Sequence, residues 1–373
     1  MKVETNVVIF DGPLTWFHEQ IDEHSPESFF LIVSSDDAIR RALREDQSSE
    51  YEDLDHVAAE STDFASLTES AISNFAGLVR RYRPKNLYLH NPPTLVRDQL
   101  RRLIPDLETR AYEYPGFTRD TLRDLDREFG TRLVGQARAR DKILAALYSL
   151  TSRDRRKPYV AMLYGPSGVG KTETALLLSE LAKGTLLRSQ FSMFNSEKFG
   201  SYVFGGSHSE PSLAHDLLNR ESNVVLLDEF DKAHRGVYSA FFQLFDGGEF
   251  VDKNYSVVVG PALILCTSNF ESEEDVQEAL GDALFSRFDA VIGYEQLTPD
   301  EAAEVIRRVV ERSVAKLTPE ELRIINPGRL LRRLQPLARH PGNARRLQKH
   351  IDEFISRTLA RAFMDGRLSP PAE

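Results

Sequence analysis

The sequence contains only one cysteine among 373 residues, Cys266, and it lies within the apolar run ALILC. A single cysteine excludes an intrachain disulfide and argues against a cysteine-based zinc cluster. Long apolar runs are also missing, since no stretch approaches the roughly 18 residues that a membrane helix needs. The first residues, MKVETNVVIF, lack the basic start and the small-residue cleavage site of a signal peptide. We therefore expect a cytoplasmic protein without a membrane segment.

The net charge of −10 arises mostly in the first part of the chain, where residues 1–112 contain 12 Lys and Arg but 20 Asp and Glu. An acidic surface repels phosphate backbones, so nucleic acid is not expected as a partner. The acidic residues also have a simpler explanation, because a charged surface keeps a protein soluble. The charge therefore argues against nucleic-acid binding and indicates no other function.

Residues 5–113 alternate short β-like runs with segments of helical period. The runs NVVIF, SFFLIVSS, NLYLH and TRAYEY predict strands, and segments such as DDAIRRALRE and TLVRDQLRRLI predict helices between them. Such alternation is typical of a largely parallel sheet with flanking helices. We therefore predict a small Rossmann-like α/β domain over residues 1–112, followed by a linker helix over residues 113–130.

The carboxyl ends of the strands in this predicted domain are candidate ligand positions, because ligands of parallel sheets bind there. Asp and Ser after a strand are also common turn formers and helix caps, so a binding site and ordinary turn chemistry both remain open. The residues at these positions are Asp11, Gly12, Ser34, Ser35, Asp36, His90 and Asn91.

The stretch GPSGVGKT matches the pattern GxxxxGK[ST], with an apolar run before it and a helical run after it. Glycines in such a loop let backbone N–H groups face phosphates, and the helix N-terminus adds a favourable dipole. Lys171 would neutralise phosphate charge, and Thr172 would provide a hydroxyl to Mg²⁺. The pattern predicts a site for ATP and Mg²⁺ formed by Gly165, Pro166, Ser167, Gly168, Val169, Gly170, Lys171, Thr172 and Glu173.

Two further apolar runs end in polar residues that suit nucleotide hydrolysis. The run VVLL is followed by Asp228, predicted to bind Mg²⁺, and by Glu229, predicted to polarise the water that attacks the γ-phosphate. The run ALILCTSN ends at Asn269, whose amide could hold that water. Taken alone, each of these strand ends is also compatible with an ordinary turn.

With these three elements in this order, the chain resembles the AAA+ ATPases, and specifically the Clp-type protein unfoldases, over residues 131–365. The stretch LDEFDKAHRGVYSAFFQLFDGGEFVD is similar to the pattern that the family has around its acidic strand end. The resemblance implies a P-loop NTPase sheet over residues 131–298 and a helical lid domain over residues 299–373. LVGQARARDKI resembles the segment that packs around the adenine, which includes Val134, Gly135 and Gln136.

The resemblance also implies roles for three polar residues. Asn269 fits the sensor-1 position, and Arg287 fits the arginine finger that reaches the γ-phosphate of a neighbouring subunit. Arg345 fits the sensor-2 arginine of the lid, which the family writes as Gly-Ala-Arg. An asparagine intervenes here and Arg346 is adjacent, so either arginine fits. These roles imply ATP hydrolysis by a homo-oligomeric ring, a hexamer in this family.

Relatives of this type thread a polypeptide through the ring and grip it with an aromatic residue on a loop written Gly-Tyr-Val-Gly. The corresponding interval here is KFGSYVFGGSHSE, residues 198–210. Similarity to the motif favours Tyr202, whereas counting back from the acidic strand favours Phe204. Nearby glycines would leave the backbone mobile, although both rings could instead belong to the core.

The resemblance implies a protein remodeller or unfoldase that acts on a dedicated protein target. The segment before Arg287, ESEEDVQEALGDAL, is short and acidic, and no clear Leu/Ile-Gly-Phe/Leu docking loop is present, so a Clp peptidase is not expected as a partner. A nucleotide-controlled assembly switch or scaffold that needs an activator remains an alternative. A nucleic-acid motor or loader is the third hypothesis, and it would need a basic channel face.

Overall fold

The structure is a computed structural model that describes residues 5–43, 54–152, 154–193, 196–339 and 344–368. The side chains of residues 37–43, 196–197, 339 and 344–346 lie outside this description. The described chain has three parts, which we name the N-terminal domain (5–112), the central domain (113–298) and the C-terminal domain (299–368).

The N-terminal domain is a parallel β-sheet covered by helices. Its strands are β1 (Asn6–Asp11), β2 (Glu27–Ser28), β3 (His56–Ala59), β4 (Asn86–His90) and β5 (Glu108–Ala111). They pair in the order β2-β3-β4-β1-β5, and every neighbouring pair is parallel. The helices are α1 (Leu14–Ile21), α2 (Phe29–Leu43), α3 (Ser61–Ser66), α4 (Glu69–Ser73), α5 (Phe75–Tyr82) and α6 (Thr94–Leu103), with a 3₁₀ turn at Asp22–His24. This confirms the predicted α/β class.

The prediction of a strand over SFFLIVSS is wrong, because most of this stretch belongs to helix α2. Phe29, Ile32 and Val33 are buried, and this spacing of three and four residues is the period of a helix. Leu31 lies between them and is exposed. The strand that the hydrophobic pattern did not indicate is β3, with the sequence HVAA. Three predicted ligand residues therefore lie inside a helix instead of at a strand end, namely Ser34, Ser35 and Asp36.

The central domain contains a second parallel sheet and a β-hairpin. Its strands are β6 (Tyr159–Tyr164), β7 (Leu187–Gln190), β8 (Val224–Asp228), β9 (Glu249–Val251), β10 (Ser256–Val258), β11 (Leu263–Thr267) and β12 (Ala290–Gly293). Five of them form a parallel sheet in the order β12-β6-β11-β8-β7, while β9 and β10 form an antiparallel hairpin. Because helices cover both faces, β8 and β11 are buried along their whole length.

The helices of the central domain pack on both sides of this sheet. They are α7 (Arg119–Arg132), α8 (Ala137–Leu150), α9 (Lys171–Leu181), α10 (Ser196–Phe204), α11 (Leu213–Leu218), α12 (Ala240–Gly247), α13 (Glu273–Leu280) and α14 (Asp282–Phe285), with 3₁₀ turns at Phe191–Met193, Phe230–Lys232 and Arg235–Val237. Helix α7 occupies much of the predicted linker, but its Leu125 and Phe129 are buried in one apolar cluster with Ala161 and Leu163 of β6. The helix therefore belongs to the core of the central domain.

The C-terminal domain is helical, as the resemblance implied. Its helices are α15 (Pro299–Val314), α16 (Pro319–Ile324), α17 (Pro327–Leu334) and α18 (Ala344–Met364), with a 3₁₀ segment at Gln335–Arg339. The first three begin with a capping side chain followed by proline, and the caps are Thr298, Thr318 and Asn326. None of the described helices is both long enough and apolar enough to cross a membrane.

Candidate nucleotide site

The loop of residues 165–170 joins the end of β6 to the start of α9. Gly165 has a φ of +133°, and an added Cβ there would lie 2.3 Å from the carbonyl oxygen of Tyr294. Only glycine fits this position without a shift of the backbone. The loop leads into the N-terminus of α9, where unpaired N–H groups and the helix dipole favour an anion.

Lys171 is the first residue of α9 and is largely buried. Its ammonium donates to the carbonyl oxygens of Gly165 (2.6 Å) and Pro166 (2.8 Å) and lies 3.3 Å from Oδ1 of Asn269. Burial lowers the pKa of Lys171 to about 8, although nearby carboxylates act in the opposite direction. A bound anion would favour the charged amine and raise this pKa again.

Asp228 ends strand β8, and both of its carboxylate oxygens are engaged. Oδ1 accepts a hydrogen bond of 2.5 Å from the hydroxyl of Thr267, at the end of β11. Oδ2 accepts from Nε (2.9 Å) and Nη2 (2.5 Å) of Arg188, on β7. Because Asp228 is only 5% exposed, these partners offset the loss of water around its charge.

Glu229 adopts an unusual left-handed backbone conformation, with a φ of +55°. Its N–H donates to the hydroxyl of Thr267 at 2.8 Å, which holds the residue in this conformation. Its Oε2 accepts a hydrogen bond of 3.1 Å from the amide of Gln190, and the hydroxyl of Ser192 donates to the same oxygen. Glu229 is therefore restrained at both its backbone and its carboxylate.

A cleft of about 400 Å³ brings these residues together between the central and C-terminal domains. Its lining includes residues 167–171 of the phosphate loop and helix start, Asp228, Glu229, Thr267 and Asn269, whereas Gly165 and Pro166 do not line it. Other wall residues are apolar and suit a planar base, namely Leu133, Val134, Leu176, Leu297, Val305 and Val309. Of the remaining predicted loop residues, Ser167, Gly168, Val169, Gly170, Thr172 and Glu173 line the cleft.

Residues of the C-terminal domain form one wall of this cleft. Arg308 and Arg312 reach it from α15, and Gln348 reaches it from α18. Arg308 also donates to the carbonyl oxygens of Gly130 (3.0 Å) and Thr131 (2.7 Å) near the end of α7. A ligand in the cleft would therefore touch two domains that are already linked by hydrogen bonds.

Gly135 and Gln136, predicted beside the adenine, do not line the cleft, whereas Val134 does. Gln136 instead forms two hydrogen bonds with the backbone of Glu295. Nε2 of Gln136 donates to the carbonyl oxygen of Glu295 at 2.8 Å, and the N–H of Glu295 donates to Oε1 of Gln136 at 3.0 Å. Gly135 lies against Glu301, where an added Cβ would meet Oε1 at 2.7 Å. Gly135 thus lies against the start of the C-terminal domain, and Gln136 is bonded to the segment just before that domain.

The residues of the cleft fit ATP with Mg²⁺. Mg²⁺ prefers oxygen ligands and is usually bound by one or two side chains together with phosphates and water. Thr172 and Asp228 both line the polar part of the cleft and offer a hydroxyl and a carboxylate. The predicted roles of these side chains stay predictions, but the structure places the side chains together.

Arg287 does not line the cleft of its own chain. It donates from Nε to Asp246 at 2.9 Å and lies over the ring of Phe242, 4.1 Å from the ring centroid. Arg345, predicted as sensor 2, and the alternative Arg346 belong to the first turn of α18, but their side chains lie outside the described residues. The structure therefore leaves the choice between the two open.

The two candidate pore aromatics have different surroundings. Tyr202 is 5% exposed, and its hydroxyl donates to Asp216 at 2.7 Å, so its ring belongs to the core in this conformation. Phe204 ends α10 and is 47% exposed. Of the two, only Phe204 is placed to touch a substrate without rearrangement of the core.

At the carboxyl edge of the N-terminal sheet, the predicted ligand residues mainly contact one another. Asp11 is held by both terminal nitrogens of Arg97, at 2.9 and 2.6 Å. His90 and Asn91 are fully buried, and both lie 2.8 Å from the carbonyl oxygen of Gly12. Burial lowers the pKa of His90 to about 4. This edge is filled by side chains of the protein itself.

Several side chains at the site had no signal in the sequence. Arg188, Gln190 and Ser192 come from β7 and the turn after it, a stretch without a motif. Thr267 is one of the polar residues at the strand end of Asn269, but its place in the sequence indicated no role for it. The apolar wall from the C-terminal domain depends on how two domains pack, which periodicity does not reveal.

The middle of the chain is similar to known ATP-binding proteins. Residues 156–323 match the family model described as AAA domain (Cdc48 subfamily). The chain is 28% identical over 287 residues to a ClpA homolog protein of Fuscovulum blasticum, covering 67% of this chain and 35% of that protein. It is 24% identical to the ATP-dependent Clp protease ATP-binding subunits ClpC of Staphylococcus epidermidis, over 66% of this chain and 35% of that protein, and ClpE of Bacillus subtilis, over 66% and 40%.

The matched region thus spans little more than a third of the length of these relatives. Within that region, the comparisons and the cleft agree on a nucleotide-binding domain. Residues 156–323 therefore form an AAA domain, and Clp-type ATP-binding subunits are among the relatives of the chain.

Proposed function

We propose that the chain hydrolyses ATP and uses the energy to remodel a protein target, as a subunit of a ring-shaped homo-oligomer. The observation that supports this most directly is the cleft between the central and C-terminal domains. It places a phosphate loop, a lysine, two carboxylates and an asparagine around one cavity. The Clp-type relatives support a protein target, although the chain matches only part of their length.

Binding of the triphosphate is assigned to the loop 165–170, Lys171 and Thr172. The ammonium of Lys171 would exchange its loop carbonyl partners for phosphate oxygens, which are stronger acceptors because they are charged. Mg²⁺ would be held by the phosphates, Thr172 and Asp228, and it would neutralise charge that develops in the transition state. Asp228 can release the arginine on one oxygen while Thr267 keeps the other oriented.

Hydrolysis is assigned to Glu229, which would accept a proton from the attacking water. A positioned general base typically contributes about 10²–10⁴ in rate. Its carboxylate is now bonded to Gln190 and Ser192, so it must leave these partners before it can face the water. Asn269 lies near Lys171 and is placed to hold that water against the γ-phosphate.

Movement is assigned to the C-terminal domain, because α15 and α18 line the cleft together with the central domain. Loss of the γ-phosphate would change the contacts on both walls and so the angle between the domains. Phe204 is exposed at the end of α10 and would pass this movement to a bound polypeptide. Arg287 lies away from its own cleft, which fits a role at the cleft of a neighbouring subunit.

The first experiment measures ATP hydrolysis by the purified chain alone, with an unfolded polypeptide, and with DNA or RNA. Glu229→Gln should lower the rate by about 100-fold or more while ATP still binds. Phe204→Ala should lose the stimulation by polypeptide, and Phe204→Tyr should keep it because an aromatic ring remains. Stimulation by nucleic acid alone would contradict a protein target. Absence of any stimulation would favour a switch or scaffold that needs an activator.

The ring is tested by mixing two inactive variants. Arg287→Ala subunits keep Glu229, and Glu229→Gln subunits keep Arg287. An arginine that acts on the neighbour would restore hydrolysis at mixed interfaces, where one subunit supplies the base and the other the arginine. Failure at every mixing ratio would contradict an arginine acting between subunits.

A further inference from the structure

The two parallel sheets of the chain have the same strand order. The sheet of the central domain has five strands, which in chain order are β6, β7, β8, β11 and β12. Across the sheet they pair as β12-β6-β11-β8-β7, so the order is fifth, first, fourth, third, second. The N-terminal sheet, β5-β1-β4-β3-β2, repeats this order with all pairs parallel. The N-terminal domain therefore has the sheet topology of a P-loop domain, and the ends of β1, β3 and β4 correspond to the three strand ends of the nucleotide site.

The phosphate loop, however, has no counterpart in the N-terminal domain. Six residues separate β6 from α9, but only Gly12 and Pro13 separate β1 from α1. The N–H of Gly12 donates to Oδ1 of Asn91 at 3.0 Å, and its carbonyl accepts from Nδ2 of the same side chain at 2.8 Å. A two-residue turn whose polar groups are already paired cannot surround a phosphate.

This edge of the N-terminal sheet contacts the central domain. Nδ2 of Asn91 donates to Oδ1 of Asn219 at 3.0 Å, just after α11, and the hydroxyl of Ser61 lies 3.4 Å from the same oxygen. Beside them, the hydroxyl of Tyr114 donates to the carbonyl oxygen of Arg220 at 2.9 Å. The guanidinium of Arg220, which is 4% exposed, lies 3.9 Å from the centroid of the Tyr114 ring. Asn91 and Ser61 thus join the two domains at Asn219, and Tyr114, at the start of the central domain, holds the neighbouring Arg220.

The N-terminal domain also forms hydrogen bonds with two loops near Phe204, namely the segment after α10 and the turn of the β9–β10 hairpin. The imidazole of His208 donates to the carbonyl oxygen of Leu67 at 2.8 Å. The N–H of Thr94, the first residue of α6, donates to the carbonyl oxygen of Asn254, in the turn of the β9–β10 hairpin, at 2.8 Å.

That hairpin turn is in turn bonded to the segment of Phe204. Nδ2 of Asn254 donates to the carbonyl oxygen of Gly206 at 3.2 Å, and the N–H of Lys253 donates to the carbonyl oxygen of Phe204 at 3.0 Å. Residues 204–208 are therefore tied to the N-terminal domain twice, once directly through His208 and once through the hairpin.

We infer that the N-terminal domain, a P-loop-type fold whose nucleotide edge has become a docking surface, restrains the loop of Phe204 and limits its movement during hydrolysis. Release of the docking contacts would free the loop to follow the nucleotide state. The restraint itself is independent of the proposed function, whereas its effect on polypeptide-stimulated hydrolysis rests on it.

The test uses the full chain and two pairs of matched variants. Thr94→Pro deletes the N–H that donates to the carbonyl oxygen of Asn254. Thr94 is the first residue of its helix, where proline is well tolerated, and the ψ of 150° at Pro93 suits a following proline. Thr94→Ala keeps the N–H and is its control. His208→Ala deletes the contact with Leu67, and His208→Gln is its control because the amide can donate from a similar position.

Hydrogen exchange should be faster by about fivefold in residues 204–209 and 252–255 of Thr94→Pro and His208→Ala, with α9 and β8 unchanged, because each lost hydrogen bond favours local opening by roughly that factor. Polypeptide-stimulated hydrolysis should rise by about twofold or more in the same variants and not in the controls. Unchanged exchange in both variants would overturn the restraint. Faster exchange with unchanged or lower stimulated hydrolysis would overturn the second part of the inference, that the restraint limits movement of the loop during hydrolysis.

The two proposals fail in different ways. A wild-type chain that no polypeptide stimulates would contradict the proposed function. The exchange measurement would still decide whether the N-terminal domain holds the loop.

Discussion

The hydroxyl of Thr267 joins the two carboxylate residues of the site, and its removal gives the sharpest prediction. It accepts the N–H of Glu229 at 2.8 Å and donates to Oδ1 of Asp228 at 2.5 Å. Thr267→Val keeps the shape of the side chain and deletes both hydrogen bonds. A hydrogen bond to a charged group contributes about 1.5–3 kcal/mol and a neutral one about 1 kcal/mol. Asp228 and Thr267 are buried and Glu229 is partly buried, so water can replace the hydroxyl only incompletely.

If about 2.7 kcal/mol of this loss appears in the transition state, the turnover rate falls about 100-fold. The affinity for ATP should stay within about threefold of wild type, because Lys171 and the phosphate loop lose no contact. Steady-state hydrolysis over a range of ATP concentrations measures kcat, and a fluorescent nucleotide measures Kd. Thr267→Ser keeps the hydroxyl and should retain most of the activity. A valine variant with wild-type kcat would refute the reasoning that this hydroxyl positions Glu229.

Three further predictions concern the same cleft. Burial lowers the pKa of Lys171 to about 8, and a bound phosphate favours the charged amine. The affinity for a non-hydrolysable ATP analogue should therefore be full below about pH 8 and weaken above it. A calorimetric titration should show a loss of about tenfold between about pH 7.5 and 9. Gly165→Ala should lower ATP affinity by more than about tenfold, because its Cβ would meet a neighbouring carbonyl oxygen, whereas Gly116→Ala, at a site with open space, should bind ATP like wild type in the same titration. Gln190→Ala should raise basal hydrolysis by about two- to fivefold, because one of the hydrogen bonds that hold the carboxylate of Glu229 away from water is lost; an unchanged or lower rate would show that the amide does not restrain it.

The phosphate site could be predicted from sequence because its parts are local. A strand, a glycine-rich turn and a helix follow one another within about 25 residues, and each has its own pattern. Asp228, Glu229 and Asn269 could be predicted because residues at the carboxyl ends of neighbouring parallel strands meet at one edge. The helical C-terminal domain was expected from the resemblance, and the start of its first helix carries a clear capping signal, Thr298 before Pro299.

The partners of the carboxylates could not be predicted, because they depend on the register between strands. Gln190 stands opposite Asp228 in the pairing of β7 with β8, and a slip of one residue would exchange the faces of the sheet. Nothing in the run LLRSQ reveals that register. The mistaken strand over residues 28–35 has a different cause, since a short apolar run without polar interruptions fits a buried strand and a buried helix equally well.

In the proposed ring, the position of Arg287 would link assembly to activity. In the single chain, the guanidinium of Arg287 contacts residues of its own subunit. It pairs with Asp246, lies over the ring of Phe242 and donates to the carbonyl oxygen of Ala283. A neighbour can recruit it only after these contacts open, and a partly exposed ion pair of this type contributes only about 1 kcal/mol or less. The penalty is small enough for subunit association to supply, yet dilute chains would still keep the arginine folded back. Hydrolysis per chain should then increase with protein concentration, because the arginine would act only when a neighbouring subunit is bound.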